Sequence, residues 1–265
     1  MILSELLEET YRRYWKGSKD AQKSWRNGQM VIEAIGDLKV GEVEEIHIDK
    51  YVDSLRNQGK KAGTINRKLA ALSRMLIHAS RMRYIDRVPS IVRVKEPKGR
   101  ICWLSHDEEA ELLALPMDDW MGNLIVVLLD TGMRLGEALK LHSKDVDAHH
   151  KLVHLWDTKN GDSRSVPLTV RALDAIRFAE GQVFPHSSVD CHRKWDVLRA
   201  AMNRSDDPHF VFHMLRHTCA SRLVQGGVQI PVIQQWLGHT NIQTTMRYAH
   251  ISPDNLSSAR EVLEK

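Results

Sequence analysis

Six side chains in the C-terminal part of this 265-residue chain stand in an order that one kind of chemistry requires: Arg134, Lys159, His213, Arg216, His239 and Tyr248. Their local strings are TGMRLGE (131–137), TKNGDSRSVPL (158–168), HMLRH (213–217), LGH (237–239) and TTMRYAH (244–250). Two guanidinium forks, two imidazoles, an ammonium and a phenol suit attack by a tyrosine on a phosphodiester without a metal ion. That reaction poses three problems: the phosphoryl oxygens gain charge, the nucleophile must lose a proton, and the leaving oxygen must gain one. Planar guanidiniums match the non-bridging oxygens with paired, charge-assisted hydrogen bonds, which assigns Arg134 and Arg216 to the first problem. Tyr248 is the candidate nucleophile. A free phenol titrates near ~10, so it needs a base, and imidazole titrates close to neutrality. His213 is therefore a general base or proton shuttle, and His239 is expected to hydrogen-bond a phosphate oxygen. Taken singly, each group has a plainer explanation. Arg134 can pair with Glu137 one turn away, Tyr248 can pack with its hydroxyl at the surface, and Lys159 beside a turn can be solvated. The combination and its order favour the chemistry.

The elements that must hold these groups read as mainly helical. In the N-terminal part, residues 1–16 form a helix with Leu3, Leu6, Leu7 and Tyr14 near one face, residues 36–41 a turn, and residues 48–56 a short helix. Thr64 sits at an N-cap position before a helix over 65–81. On that helix Ile65, Leu69, Leu72, Leu76 and Ala79 make one apolar stripe. Arg67, Arg74 and Arg81 recur every seven residues on the other side and, with Lys68, are the candidate DNA-binding residues. Residues 54–87 hold nine Lys and Arg and a single acid, Asp86. A basic stripe is ordinarily a solvated face, but without balancing glutamates it reads here as DNA-facing. Segment 88–99 carries two prolines and no helical period, and reads as an interdomain linker. Ser105 and Glu108 then make a capping box for a helix over 106–115. Residues 119–131 form a buried apolar helix ended by Gly132. Residues 152–158 and 163–168 alternate like strands around Asn160-Gly161, a two-residue hairpin signal. Residues 169–179, 191–202, 218–225 and 230–237 read as helices. Trp236 is expected to buttress His239.

Length and composition set the bounds. The chain can fill two domains, each with its own core. A hydrophobic fraction of 42% and a charged fraction of 27% fit a globular protein. The strongly apolar run 124–129 is too short for a bilayer, and the N-terminus lacks a signal-peptide layout. Three scattered cysteines, Cys102, Cys191 and Cys219, argue against a disulfide framework and for a reducing compartment. Charge is uneven. Residues 1–98 hold 20 Lys and Arg against 13 Asp and Glu, a net of +7, whereas residues 99–265 hold 18 against 21, a net of −3. The first part is the electrostatic handle for a polyanion; the second must contact phosphate through individual cations. No metal is expected. His213 and His217 are four apart, but Met214 stands where a zinc protease has glutamate. His149, His150, His154, Cys191 and His192 lack a supporting Cys-x-x-Cys pair.

The five strings closely resemble the catalytic signature of the tyrosine recombinases, the family of phage integrases and Xer-type resolvases. The resemblance runs from residue 104 to the C-terminus, with a looser likeness over 1–95. Motif by motif, the family's first arginine falls on Arg134, its hairpin lysine on Lys159, the H-x-L-R-H box on His213 and Arg216, the L-G-H histidine on His239 and the nucleophile on Tyr248. Met214 stands where the family often has an acid, which is not a catalytic position.

This resemblance implies a mainly α fold. Residues 1–95 would be an N-terminal helical bundle, a SAM-like core-binding domain, followed by the linker at 88–99. Residues 100–265 would be a mostly helical catalytic domain with a small antiparallel sheet or hairpin. It implies a 3′-phosphotyrosine intermediate and a free 5′ hydroxyl, with neither ATP nor a cofactor. Lys159 would enter the minor groove and protonate the leaving 5′ oxygen. The implied partners are a specific duplex DNA site, a homo-tetramer on two duplexes working through a Holliday junction, and accessory DNA-bending proteins. The implied place is the nucleoid in the cytoplasm of a bacterial or archaeal cell, with a phage or mobile-element origin favoured by the compact N-terminal part. The tail 251–265, with Leu256, Val262 and Leu263 at helical spacing, either docks on a neighbouring protomer or packs on its own domain. An arm-binding domain ahead of these two has no room, so the chain is a simple recombinase or one from which that domain has been removed. Two other readings stay open: a type IB-like topoisomerase, disfavoured by the HMLRH and LGH boxes, and a DNA-binding protein on this scaffold that does not cut.

Overall fold

A computed structural model of the chain describes residues 1–97, 99–156, 163–251 and 263–264. The chain divides into two compact units, Met1–Gly99 and Arg100–Lys265. It is mainly helical, with one small antiparallel sheet. Among the described residues no helix is long and apolar enough to cross a membrane. Lys159, the Asn160-Gly161 turn and the tail leucine and valine at 256 and 262 lie outside the described residues.

The first unit is built from α1 (Leu3–Thr10, continued by a wider turn over Tyr11–Trp15), α2 (Ala21–Ile35), α3 (Glu45–Asn57) and α4 (Ala62–Arg81). Leu3, Leu6 and Leu7 fall on one side of α1 at three- and four-residue spacing and are buried, as are Ile48, Tyr51, Val52 and Leu55 of α3. The stripe of α4, Ile65, Leu69, Leu72, Leu76 and Ala79, closes the same core. α2 is a helix that the sequence pattern did not reveal; it approaches α1 through Gly28, where any side chain would collide with Leu7. α4 begins at Ala62 after Lys61, so Thr64 lies inside the first turn rather than at the cap. Arg67, Arg74 and Arg81 are exposed. Arg74 lies over the Tyr14 ring, 5.4 Å from its centroid, and Arg81 donates to the Tyr14 hydroxyl at 3.4 Å.

Lys68 corrects its expected place among the DNA-facing residues. It is 5% exposed, with its ammonium 2.7 Å from the sulfur of Met30. One residue is a 100° step around a helix, which carries position 68 from the Arg67 face to the side of Leu69 and Leu72. Burial pushes its pKa down, Lys60 adds to this, and Glu33 opposes it. A side chain so placed does not reach a phosphate. Segment 88–96 lies along the same helix. Asn66 donates to the Val94 carbonyl at 2.9 Å and accepts from the Val94 amide at 2.9 Å. Arg93 also donates to the Asn66 carbonyl at 3.1 Å.

The second unit comprises α5 (His106–Ala114), α6 (Asp119–Thr131), α7 (Leu135–Ala138), β1 (Val146–Asp147), β2 (Leu152–Leu155), β3 (Arg164–Pro167), α8 (Val170–Ile176), α9 (Ser188–Ala201), α10 (Phe212–Gln225), α11 (Ile230–Leu237) and α12 (Ile242–Met246). The capping box forms: Ser105 Oγ accepts from the Glu108 amide and Glu108 accepts from the Ser105 amide. α6 is apolar on nearly all sides because it runs through the core, packed by α8 and α10. The sheet has the order β1-β2-β3, with Val153 opposite Val166 and Leu155 opposite Arg164. α10 starts at Phe212, six residues before its expected start, so the HMLRH string is the opening of a helix. α11 ends at Gly238 in a left-handed conformation. Beneath α10 and α11 a small cluster holds Ile101, Ala220, Val224, Ile233, Leu237 and Tyr248.

Candidate active site

The corner between α6 and α7 starts the site. Gly132, at φ +63°, turns the chain sharply; a side chain there would also press on Leu237 and Cys219. Two residues on, Arg134 caps α7. Glu137 reaches back to it, accepting from the Arg134 amide at 2.9 Å and from its guanidinium at 2.6 Å. Arg164, from β3, donates to the same carboxylate at 2.8 Å and, through Nε, to the Trp236 carbonyl at 3.3 Å. Glu137 is 8% exposed. Burial opposes its ionisation, yet the bonds from Arg164 and Arg134 hold its carboxyl down at about 2, from an ordinary 4.5.

This has a consequence for stability. A depressed carboxyl stabilises the fold above its unfolded value, and that stabilisation is lost as pH falls from near 4.5 through about 2. The shift corresponds to roughly 3 kcal/mol. Glu137→Gln is expected to lower the melting temperature at pH 7, because two partly buried cations lose their buried counter-charge, at a cost of about 3 kcal/mol. It is also expected to flatten the pH dependence of melting between pH 5 and 2. A variant whose melting follows the wild-type pH slope would remove Glu137 from this role.

Arg216 lies on α10 and is 2% exposed. It donates from Nη1 to the Gly132 carbonyl at 2.6 Å and from Nη2 to the Leu237 carbonyl at 2.7 Å. Burial, then the charge of Arg134, pushes its pKa down to about 10, so it remains a cation at neutral pH. One side chain thus joins the α6–α7 corner to the end of α11. His213, one turn earlier and exposed, shares with Arg134 and Arg216 a cleft of about 350 Å³ that Ser188, His192 and Phe212 also line. His239 follows Gly238, and its Nδ1 is 2.9 Å from the Thr245 hydroxyl. Loss of water, then Arg216 and Arg134, drives His239 to about 3 and moves His213 in the same direction. Both imidazoles are neutral at pH 7, and the net charge of the cleft comes from guanidiniums. That is an anion site.

Tyr248 is 2% exposed, packed in the cluster under α10 and α11. Burial pushes its phenol up to about 12, against the pull of Arg216 and Arg247. Its hydroxyl lies 2.5 Å from Nδ1 of His217, not against His213 as the expected base. Arg134, His213, Arg216 and His239 therefore come together, with Tyr248 held beside them under the influence of Arg216. Lys159 falls outside the described residues. Trp236, expected to buttress His239, donates its indole N–H to the Thr131 carbonyl at 2.9 Å. Among the described residues no cluster of three or more His, Cys, Asp or Glu is arranged to hold a metal ion.

Three residues of the site were not singled out from the pattern. The pattern offers His217 only as a zinc ligand, and Glu137 only as a rival partner for Arg134. Arg164 stands in no motif; its signal is that it shares the inward parity of Val166 on β3, and an inward arginine needs a buried acid.

The model of the phage integrase family matches residues 102–255. An integrase of Escherichia phage P2 is 32% identical over 217 residues, covering 80% of this chain and 62% of that protein. The tyrosine recombinase XerC of Pelobacter propionicus is 27% identical over 243 residues, covering 84% and 80% respectively. Among solved structures, the Tn1549 transposon integrase in complex with a circular intermediate DNA superposes with a TM-score of 0.83 at 19% identity, covering 100% of this chain and 99% of that one. This chain spans less than two thirds of the length of the phage P2 integrase.

Proposed function

This chain belongs to the phage integrase family of tyrosine recombinases, and from that premise we propose that it cleaves and rejoins duplex DNA at a specific site through a 3′-phosphotyrosine. The observation that carries the reading is the cleft lined by Arg134, His213 and Arg216, with His239 and the Tyr248 phenol both close enough to feel the Arg216 charge. Arg134 and Arg216 hold the non-bridging oxygens as charge builds on them. His239 and His213 add neutral imidazoles at the same phosphate. Tyr248 attacks phosphorus, and Lys159 protonates the leaving 5′ oxygen. The new bond keeps the energy of the old one, so a 5′ hydroxyl from a second duplex can reverse the step and exchange strands.

In this reading the first unit is the core-binding domain, laying Arg67, Arg74 and Arg81 along DNA phosphates, and the second is the catalytic domain. The partners are two duplexes, three further copies of the chain and accessory DNA-bending proteins. The work is done at the nucleoid of a bacterial or archaeal cell, with integration of a phage or mobile element as the biological task.

The test is covalent trapping. The chain is incubated in EDTA with nicked suicide duplexes cut from its own genomic flanks. The adduct is then digested and analysed by mass spectrometry. The expected result is a nucleotide on the peptide that contains Tyr248. Tight binding without an adduct on any fragment would support a DNA-binding protein that does not cut.

A further inference from the structure

We propose that His217 takes the proton of Tyr248 as the phenol attacks phosphorus. This rests on the reading of Tyr248 as nucleophile and adds a catalytic residue to it. The hydroxyl is 2.5 Å from Nδ1 of His217. Tyr248 is almost wholly enclosed, so bulk water is poorly placed to act as the base. The imidazole stands on α10, one residue after Arg216, whose two bonds to backbone carbonyls fix that turn of the helix. To accept from the phenol, Nδ1 must carry the lone pair, which sets the Nε2–H tautomer. On the other side the His217 ring meets His213 edge to face, with centroids 4.7 Å apart. The two histidines thus lead from the buried hydroxyl to the exposed cleft.

The electrostatics agree. The groups acting on His217 are His213 and Arg216 from α10 and Arg247 from the segment after α12. With burial first, they push its pKa down to about 4. The ring is neutral and receptive at pH 7, and far less basic than phenolate. The phenol is therefore not ionised beforehand. Its proton leaves only as the bond to phosphorus forms.

The step balances as follows. The phenolic oxygen forms a bond to phosphorus, and the phosphorus bond to the 5′ oxygen breaks. The phenolic proton goes to Nδ1 of His217, and the 5′ oxygen takes a proton from a separate acid, proposed above as Lys159. Rejoining returns each proton.

The experiment measures single-turnover adduct formation on a suicide duplex with wild type, His217→Asn and His217→Ala. Asparagine offers an acceptor oxygen near the position of Nδ1 but takes no proton at neutral pH. Both variants are expected to be slower by about a hundredfold to a thousandfold, with the melting temperature of the asparagine form close to wild type. Difluorotyrosine at position 248, a more acidic phenol, is expected to recover at least about tenfold in the His217→Asn background, where the base is lacking. A substrate with sulfur in place of the 5′ bridging oxygen needs no acid and is expected to recover nothing. Wild-type rates in His217→Asn would show that the ring only positions the hydroxyl and overturn the proposal. So would slow variants rescued by the sulfur substrate and not by difluorotyrosine, since that places His217 on the leaving-group side. A wild-type chain that binds these duplexes and forms no adduct overturns the reading of Tyr248 as nucleophile, and this proposal with it.

Discussion

Tyr248→Phe is expected to bind DNA as the wild type does and to form no covalent adduct with it. The substitution removes one oxygen and keeps the ring. The ring is what packs against Ile233, Leu237 and Ala220, so the cluster under α10 and α11 is expected to survive. What is lost in folding is the single bond to His217, worth about 1 kcal/mol net, or roughly 2–4 °C of melting temperature for a chain of this size. What is lost in chemistry is the only atom at this position that can attack phosphorus. A denaturing gel of suicide-duplex reactions is the measurement, run beside a melting curve and a binding isotherm. Adduct at more than a trace in the phenylalanine form would transfer the nucleophile to another residue.

Arg216→Lys is expected to fail differently, losing chemistry and stability together. The guanidinium spreads two donors to two carbonyls on separate elements, Gly132 O and Leu237 O. An ammonium is a single point on a flexible stem and cannot span both. One buried carbonyl is left unpaired at a cost of about 1–3 kcal/mol. The α6–α7 corner, which carries Arg134, and the end of α11, which leads into His239, are no longer held by one group. Removing a preorganised donor to a developing oxyanion typically costs about 10²–10³ in rate. Adduct formation is thus expected to fall about a thousandfold, with a melting temperature several degrees below wild type. A lysine variant within tenfold of wild type would show that charge alone, not the fork, serves the site.

The contrast between what could and could not be read from the sequence has a physical basis. α6 and α11 were placed at their observed limits, because an apolar run ended by a left-handed glycine is a local signal. The Ser105–Glu108 box is equally local. α2 is absent from the sequence reading although its apolar residues do recur at helical spacing: Ala21, Gly28 and Val31 are buried, and Trp25, Ile32 and Ile35 pack against the same core. The start of α10 carries no local signal, because Val211 caps it without a side-chain hydrogen bond and the buried Phe212, Met214 and Leu215 adjoin the buried Arg216 instead of forming a one-sided apolar stripe. Lys68 departs from expectation because it lies a 100° step from Arg67, outside the seven-residue recurrence that aligns Arg67, Arg74 and Arg81.

The same division holds in the site. Arg134, His213, Arg216 and His239 could be named from their motifs, and the fold gathers them. Their supports could not. Arg164 meets Glu137 across 27 residues and Tyr248 meets His217 across 31. Such pairs leave no trace in spacing.

The bonds of Arg216 also bear on how this sequence can drift. Both acceptors are main-chain oxygens, and a main-chain oxygen survives any change of side chain. Position 237 can pass among leucine, isoleucine and methionine without touching the bond it supplies, and Gly132 is restricted by its own backbone angle and crowding, not by what it accepts. No change of a neighbouring side chain replaces the two bonds of a missing guanidinium, because among the described residues both of its hydrogen-bond acceptors belong to the main chain. In a library of random variants selected for activity, position 237 would diversify among apolar side chains. Position 216 would stay arginine.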